Sequence, residues 1–165
     1  MRRLAVFGLV AFFVCGAAAS AVAQAPAPTP TDRSKATVFK AADLAAAIAK
    51  LPSDRPSSAV RVFTLAPYNV NVERRLPRQQ GASLHDAQGE LFYVIEGSAT
   101  LLTGGTLVAP TRTGTNVAGT GIEGGVRQVF SKGDFMIVPS GLAHQFVDIQ
   151  APVHLMSIYL PNAPQ

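Results

Sequence analysis

From about residue 58 onward, apolar and polar side chains alternate in short runs, the two-residue period of a strand that buries one face. The pattern predicts strands over 60–66, 69–76, 82–85, 90–96, 98–103, 106–108, 126–131, 135–138, 144–149 and 153–160, punctuated by Gly and Pro. Gly104-Gly105 reads as a two-residue hairpin turn. Residues 110–125 are too irregular for a strand and too long for a plain turn. With Gly119, Gly121, Gly124 and Gly125 they are expected either as a loop over a barrel mouth or as a solvated surface insertion. Ahead of the strands, residues 40–51 are rich in Ala, with Leu44, Ile48 and Leu51 at helical spacing and Pro52 as the stop. Its opposite side is mostly Ala and not basic, so the stripe is expected to pack on the outside of a barrel or on a partner subunit, not on a membrane. The predicted class is all-β, an antiparallel β-barrel or jelly roll with a short N-terminal helix.

The front of the chain reads differently. Met1-Arg2-Arg3 is basic, residues 4–19 are almost continuously apolar, and Ala21-Val22-Ala23 is a small-x-small site before Gln24. This is the pattern of a cleavable secretory signal over 1–23, cut after Ala23, and it predicts a periplasmic or secreted protein. The apolar stretch is shorter than the roughly 20 residues that span a bilayer, so no stable membrane anchor is expected once it is removed. Residues 24–36 form an Ala/Pro/Thr linker, 37–57 a helical segment and 58–165 the barrel. The single cysteine, Cys15, falls in the leader, so the mature chain needs no disulfide. Loss of Arg2 and Arg3 leaves 12 basic against 10 acidic residues. Arg74, Arg75 and Arg78 are the only basic cluster, which opposes nucleic-acid binding.

Candidate chemistry is confined to two segments. His85 and Glu90 flank the turn-rich Asp86-Ala87-Gln88-Gly89; read as a four-residue hairpin loop, this makes them a directly opposed cross-strand pair. The same register sets Ser83 opposite Phe92 on that face. The second segment brings His144 just after a Pro139-Ser140-Gly141 turn, with Phe146 and Asp148 on its face. Two imidazoles and one carboxylate leave coordination positions open, the facial arrangement typical of non-haem iron(II), with manganese, nickel and zinc also compatible. His154 lies on the alternating last strand, where its facing depends on register. It is expected first as a packed or rim residue and second as a pocket residue.

Those segments resemble the two motifs of the cupin superfamily. In the first motif, Glu90 is followed by six residues and Gly97, and His85 stands four intervening residues before Glu90. In the second, Gly133, Pro139, Gly141 and His144 match at the motif spacing. Ser83 occupies the place of the first motif histidine and Asp148 that of an Asn. The resemblance covers about residues 60–161 and implies a β-barrel with His85, Glu90 and His144 as ligands of a divalent metal ion (Fe, Mn, Ni or Zn). Ser83, Phe92, Phe146, Asp148 and His154 are the pocket-lining candidates. A small-molecule ligand or substrate is expected, and the resemblance implies a homodimer.

Two functional classes follow. One is a metal-dependent enzyme, an oxygenase or isomerase acting on a small molecule. The other is a non-catalytic periplasmic cupin that binds a small ligand, or serves structurally, without metal. Fold alone does not choose between them. A regulator of transcription is opposed by the leader.

Overall fold

The computed structural model describes residues 31–162. The predicted leader and the first part of the linker lie outside the described residues. Among the described residues no helix is long and apolar enough to cross a membrane.

The helix forms where the Ala-rich stripe predicts it: α1 spans Ala41–Ala49. At its start the Lys40 backbone N–H donates to Asp43 Oδ2 at 3.4 Å. Its last turn is held by the barrel: Arg74 donates through Nη1 to the Leu51 carbonyl at 2.8 Å and through Nη2 to that of Ile48 at 2.5 Å. Free carbonyls at a helix C-terminus favour such a cation. Leu51, just past the helix, is buried, so the stripe packs on the outside of the barrel as expected.

Thirteen strands follow: β1 Ser57–Leu65, β2 Tyr68–Arg75, β3 Ala82–His85, β4 Gln88–Glu96, β5 Ser98–Thr103, β6 Thr106–Val108, β7 Thr111–Thr113, β8 Asn116–Gly119, β9 Gly121–Glu123, β10 Val126–Ser131, β11 Phe135–Val138, β12 His144–Val147 and β13 Val153–Pro161. One sheet has the order β1-β2-β13-β4-β11 and the other β10-β5-β12-β3-β8-β7, with β6-β9 as a separate ribbon. Every pairing is antiparallel. Sequence-adjacent strands repeatedly fall in different sheets, which makes the barrel a jelly roll.

Three expectations change. The stretch 110–125 is not a loop; it forms β7, β8 and β9, and β8 pairs with β3 in the register Ala82↔Gly119 to His85↔Asn116. Its periodic signal is weak because β7 is fully exposed and carries no apolar face. Gly104-Gly105 does not close a hairpin. Both edges of β5 are taken by β10 and β12, so β6 leaves the sheet and pairs with β9. The third change concerns the site: β3 and β4 are not hydrogen-bonded neighbours, so His85 and Glu90 are not a cross-strand pair. Asp86 and Ala87 carry the chain from one sheet to the other. The Asp86 N–H donates to the Thr115 carbonyl at 2.8 Å, while the Ala87 carbonyl accepts from the Asn162 N–H at 3.0 Å.

Alternation sets the interior. On β4, Glu90, Phe92 and Val94 are buried while the residues between them are more exposed. The buried apolar core comprises Phe92, Val94, Ala99, Leu101, Phe130, Val138, Phe146, Ile149, Val153 and Leu155. Along β4 the inward positions change from Glu90 to Val94, and along β13 from Tyr159 through Ser157 to Leu155 and Val153. One end of the barrel is therefore apolar and closed, and the other is lined by polar groups.

Candidate metal centre

His85 ends β3, Glu90 lies near the start of β4, and His144 opens β12. Strands β3 and β12 pair through His144↔Ser83, while β4 belongs to the facing sheet. The two imidazoles thus come from one wall of the barrel and the carboxylate from the other. Glu90 Oε2 lies 3.6 Å from His85 Nε2 and 3.4 Å from His144 Nε2. One ligand atom from each of the three residues falls within 4.8 Å of the others. An ion at about 2.0–2.2 Å from each donor separates neighbouring donors by roughly 3.0–3.5 Å, and the two carboxylate–imidazole separations are close to that range.

Both imidazoles are aimed by acceptors behind them. His85 Nδ1 donates to Asn116 Oδ1 at 2.7 Å, and His144 Nδ1 to the Leu142 carbonyl at 3.3 Å. That tautomer leaves each Nε2 to face the centre, as in metal sites where the far ring nitrogen is tied down. The Leu142 carbonyl is available because the Pro139-Ser140-Gly141 turn brings the chain back just before β12; the Gly141 N–H donates to the His85 carbonyl at 2.8 Å.

Burial would raise the pKa of Glu90, whose side chain is only 4% exposed, but hydrogen bonds from His144 and His85 outweigh it and hold the carboxyl at about 2. The group is an anion at neutral pH, ready to ligate. His85 is shifted up: the Glu90 hydrogen bond raises it, burial opposes, and Asn116 adds to the rise. A cation at this point would replace the proton that these groups share. Two imidazoles and a compensated carboxylate, facing one point with their outer nitrogens occupied, are a donor set suited to a first-row divalent ion.

The surrounding wall is aromatic. The Phe92 ring lies 6.4 Å from that of His144 and 5.2 Å from that of Phe146, both edge-on. The Tyr159 ring stands 5.4 Å from His85, also edge-on. Its hydroxyl is pushed above the ordinary phenol range by burial and by the charges of Glu90 and Glu73, so it remains a proton donor.

Phe92 and Phe146 are buried in the core, with the Phe92 ring beside His144. Ser83 is not opposite Phe92 as the hairpin reading placed it: β3 pairs with β12, which sets Ser83 across from His144. Asp148 and His154 do not line the interior. Asp148 has φ of 57° and a half-exposed side chain ion-paired with Arg127. This left-handed backbone suits Asn or Asp, so the residue serves the turn after β12 and not the pocket. His154 lies on the opposite face of β13 from Val153, Leu155 and Ser157, beside Arg74 and Glu96. Burial, then the Arg74 charge, push its imidazole below the usual range.

Sequence reasoning missed Asn116 and Tyr159. Asn116 sits in the segment read as a loop, and only its pairing with His85 shows its part. Tyr159 carried a usable signal, since it is in phase with the buried Leu155 and Ser157 on an alternating strand.

No family model matches the chain, and no curated protein does. Among solved structures, it is similar to a protein with a double-stranded β-helix domain from Klebsiella pneumoniae subsp. pneumoniae, at 18% identity over 77% of this chain and 91% of that one, with a TM-score of 0.54. It is similar to KdgF from Halomonas sp. at 12% identity, over 68% of this chain and 84% of that one, with a TM-score of 0.50. With the EutQ protein of Clostridium difficile it shares 16% identity over 64% of this chain, spans 62% of that protein's length and has a TM-score of 0.43. In all, 257 solved chains match, a breadth that selects no activity. The two-sheet jelly roll, its likeness to double-stranded β-helix structures and the motif positions of His85, Glu90, Gly97, Gly133, Pro139, Gly141 and His144 together give this chain the fold of the cupin superfamily.

Proposed function

We propose that this chain is an exported cupin-fold protein that holds a divalent metal ion at His85, Glu90 and His144 and binds a small molecule beside it, as a metal-dependent enzyme of the oxygenase or isomerase type. The observation that carries the reading is the convergence of three donors from three strands of two sheets, with 3.4 and 3.6 Å between the carboxylate oxygen and the two imidazole nitrogens. When bound, a divalent ion supplies Lewis acidity at its open positions. The protein's own groups then orient and exclude. Asn116 and the Leu142 carbonyl fix the imidazoles, Phe92 and Phe146 keep water from one side, and the Tyr159 hydroxyl offers a proton at the rim of the site. Export rests on the leader pattern of residues 1–23.

The second reading, a metal-free binding barrel, is favoured by Ser83, which stands where a fourth nitrogen ligand would complete the motif. Metal analysis of protein purified from the periplasm separates the two. We expect a near-stoichiometric ion in the wild type and its loss in His144→Ala, with the barrel still folded by circular dichroism. A metal-free wild type that also takes up no added Fe(II), Mn(II), Ni(II) or Zn(II) would overturn the metal centre.

A further inference from the structure

Behind the three donors the barrel holds a second polar layer, built on β2 and β13. Glu73 is 6% exposed and Ser157 fully buried, and the Ser157 hydroxyl donates to Glu73 Oε1. Arg75 donates through Nη2 to the other oxygen, Glu73 Oε2, at 2.5 Å. The guanidinium also sits 4.9 Å from the centre of the Phe146 ring, the ring that packs on Phe92. Both Glu73 oxygens thereby accept a hydrogen bond, while Arg75 has donors to spare. Its Nε is buried and has no hydrogen-bond partner among the described residues, although a guanidinium carries five donors. Leaving such a donor unmatched costs free energy.

This arginine also reaches a cleft. A cavity of about 380 Å³ lies against the start of β1 and the end of β2, lined by Arg55, Ser57, Ala59, Glu73, Arg75 and Tyr159. Tyr159 is the wall it shares with the donor cluster, since its ring packs against His85. A small molecule lying in the cleft can therefore touch both Arg75 and Tyr159. The charged residues lining the cleft are Arg55, Arg75 and Glu73, a net charge of +1 that favours an anion with or without a divalent ion at the donors. The guanidinium is planar, its stacking on Phe146 sets that plane, and one edge is already committed to Glu73. Such a group matches a planar carboxylate better than a phosphate, whose second negative charge would face the Glu73 carboxylate.

We infer that Arg75 is the specificity-determining residue of this cleft and that the ligand is a small carboxylate-bearing molecule. The inference rests on the barrel interior being the binding site, as proposed above, and not on the metal being present. The test is a calorimetric titration of the full-length chain, metal-loaded and metal-stripped, with succinate, with its neutral diamide and with inorganic phosphate. Succinate should bind, the diamide should not, and phosphate should bind more weakly. Arg75→Gln should weaken succinate at least about tenfold, the scale of one lost charge-assisted hydrogen bond, and leave metal affinity unchanged. Arg75→Lys retains a partner for Glu73 and covers the case in which the Gln variant fails to fold; it should weaken succinate by a smaller factor. Glu73→Gln removes the competing carboxylate and should tighten succinate several-fold, which a merely structural arginine would not produce. Succinate binding that is absent from the wild type, insensitive to both Arg75 variants, unimproved in Glu73→Gln, or weaker than phosphate binding would overturn the inference. A chain that takes up metal but no carboxylate loses only this inference; one that takes up carboxylate through Arg75 but no metal loses only the metal centre.

Discussion

Asn116 decides which nitrogen His85 offers to the centre. Its amide oxygen, 2.7 Å from Nδ1, is the acceptor that keeps that proton in place and turns Nε2 toward Glu90. Groups that orient a ligand in this way typically contribute ten- to hundredfold to metal affinity. Asn116→Ala should therefore lower divalent-metal affinity by about tenfold or more in a competition titration with a chelator, while the melting temperature of the metal-free protein stays close to that of the wild type. Asn116→Asp keeps an acceptor oxygen and should retain most of the affinity. An unchanged affinity in the alanine variant would mean that the imidazole is held by packing against Tyr159 alone.

At the level of elements, the corner between β4 and β5 is a tight crossing from one sheet to the other. Gly97 joins the two sheets there with φ of 89°, and a Cβ at this position would stand 2.9 Å from the Pro152 carbonyl oxygen and 3.1 Å from Val153 Cα. Both neighbours are backbone and cannot swing away. Gly97→Ala combines an unfavourable dihedral with a collision and should cost about 2 kcal/mol or more, read as a lowered midpoint in urea unfolding. A variant as stable as the wild type would show that the corner can relax. The same scale explains why α1 stays on the barrel with no buried residue of its own: Arg74 ties its last carbonyls down, and Leu51 plugs the surface behind it.

For the whole molecule, the buried cluster predicts a stability profile with two flanks in the absence of metal. The Glu90 carboxyl is held at about 2 in the folded state against 4.5 unfolded, so its contribution is complete above 4.5 and is lost as pH falls toward 2. His85 is raised above 6.5, so its contribution is complete below 6.5 and is lost as pH rises through the folded value. Chelator-treated protein should therefore melt highest between about pH 4.5 and 6.5. Saturating metal, which competes with protons, should remove the decline on the alkaline side. Thermal melts across pH, with Glu90→Gln as reference, check both flanks. Loss of the acid flank together with much of the alkaline flank in that variant is expected, because Glu90 is both the carboxyl that is lowered and the largest cause of the rise at His85.

Much of this was readable before any coordinates. Strand alternation, the Gly and Pro stops, the helix ended by Pro52 and the spacing of His85, Glu90 and His144 are local properties, written in the two-residue and 3.6-residue periods and in the backbone limits of particular residues. What was not readable was partnership. The turn after His85 looks like a hairpin, but Asp86 and Ala87 are bonded to Thr115 and Asn162 from elsewhere in the chain, and the histidine and the glutamate meet across the barrel instead of along a ladder. Asn116 and Tyr159 join the site, and Asp148 and His154 leave it, because strand register and sheet order decide which side chains face inward. The sequence by itself determined the fold class and the kind of donor present. Only the tertiary structure decided which groups share the cavity, since antiparallel pairing between distant segments depends on the closure of the whole barrel and leaves no periodic trace in either segment alone.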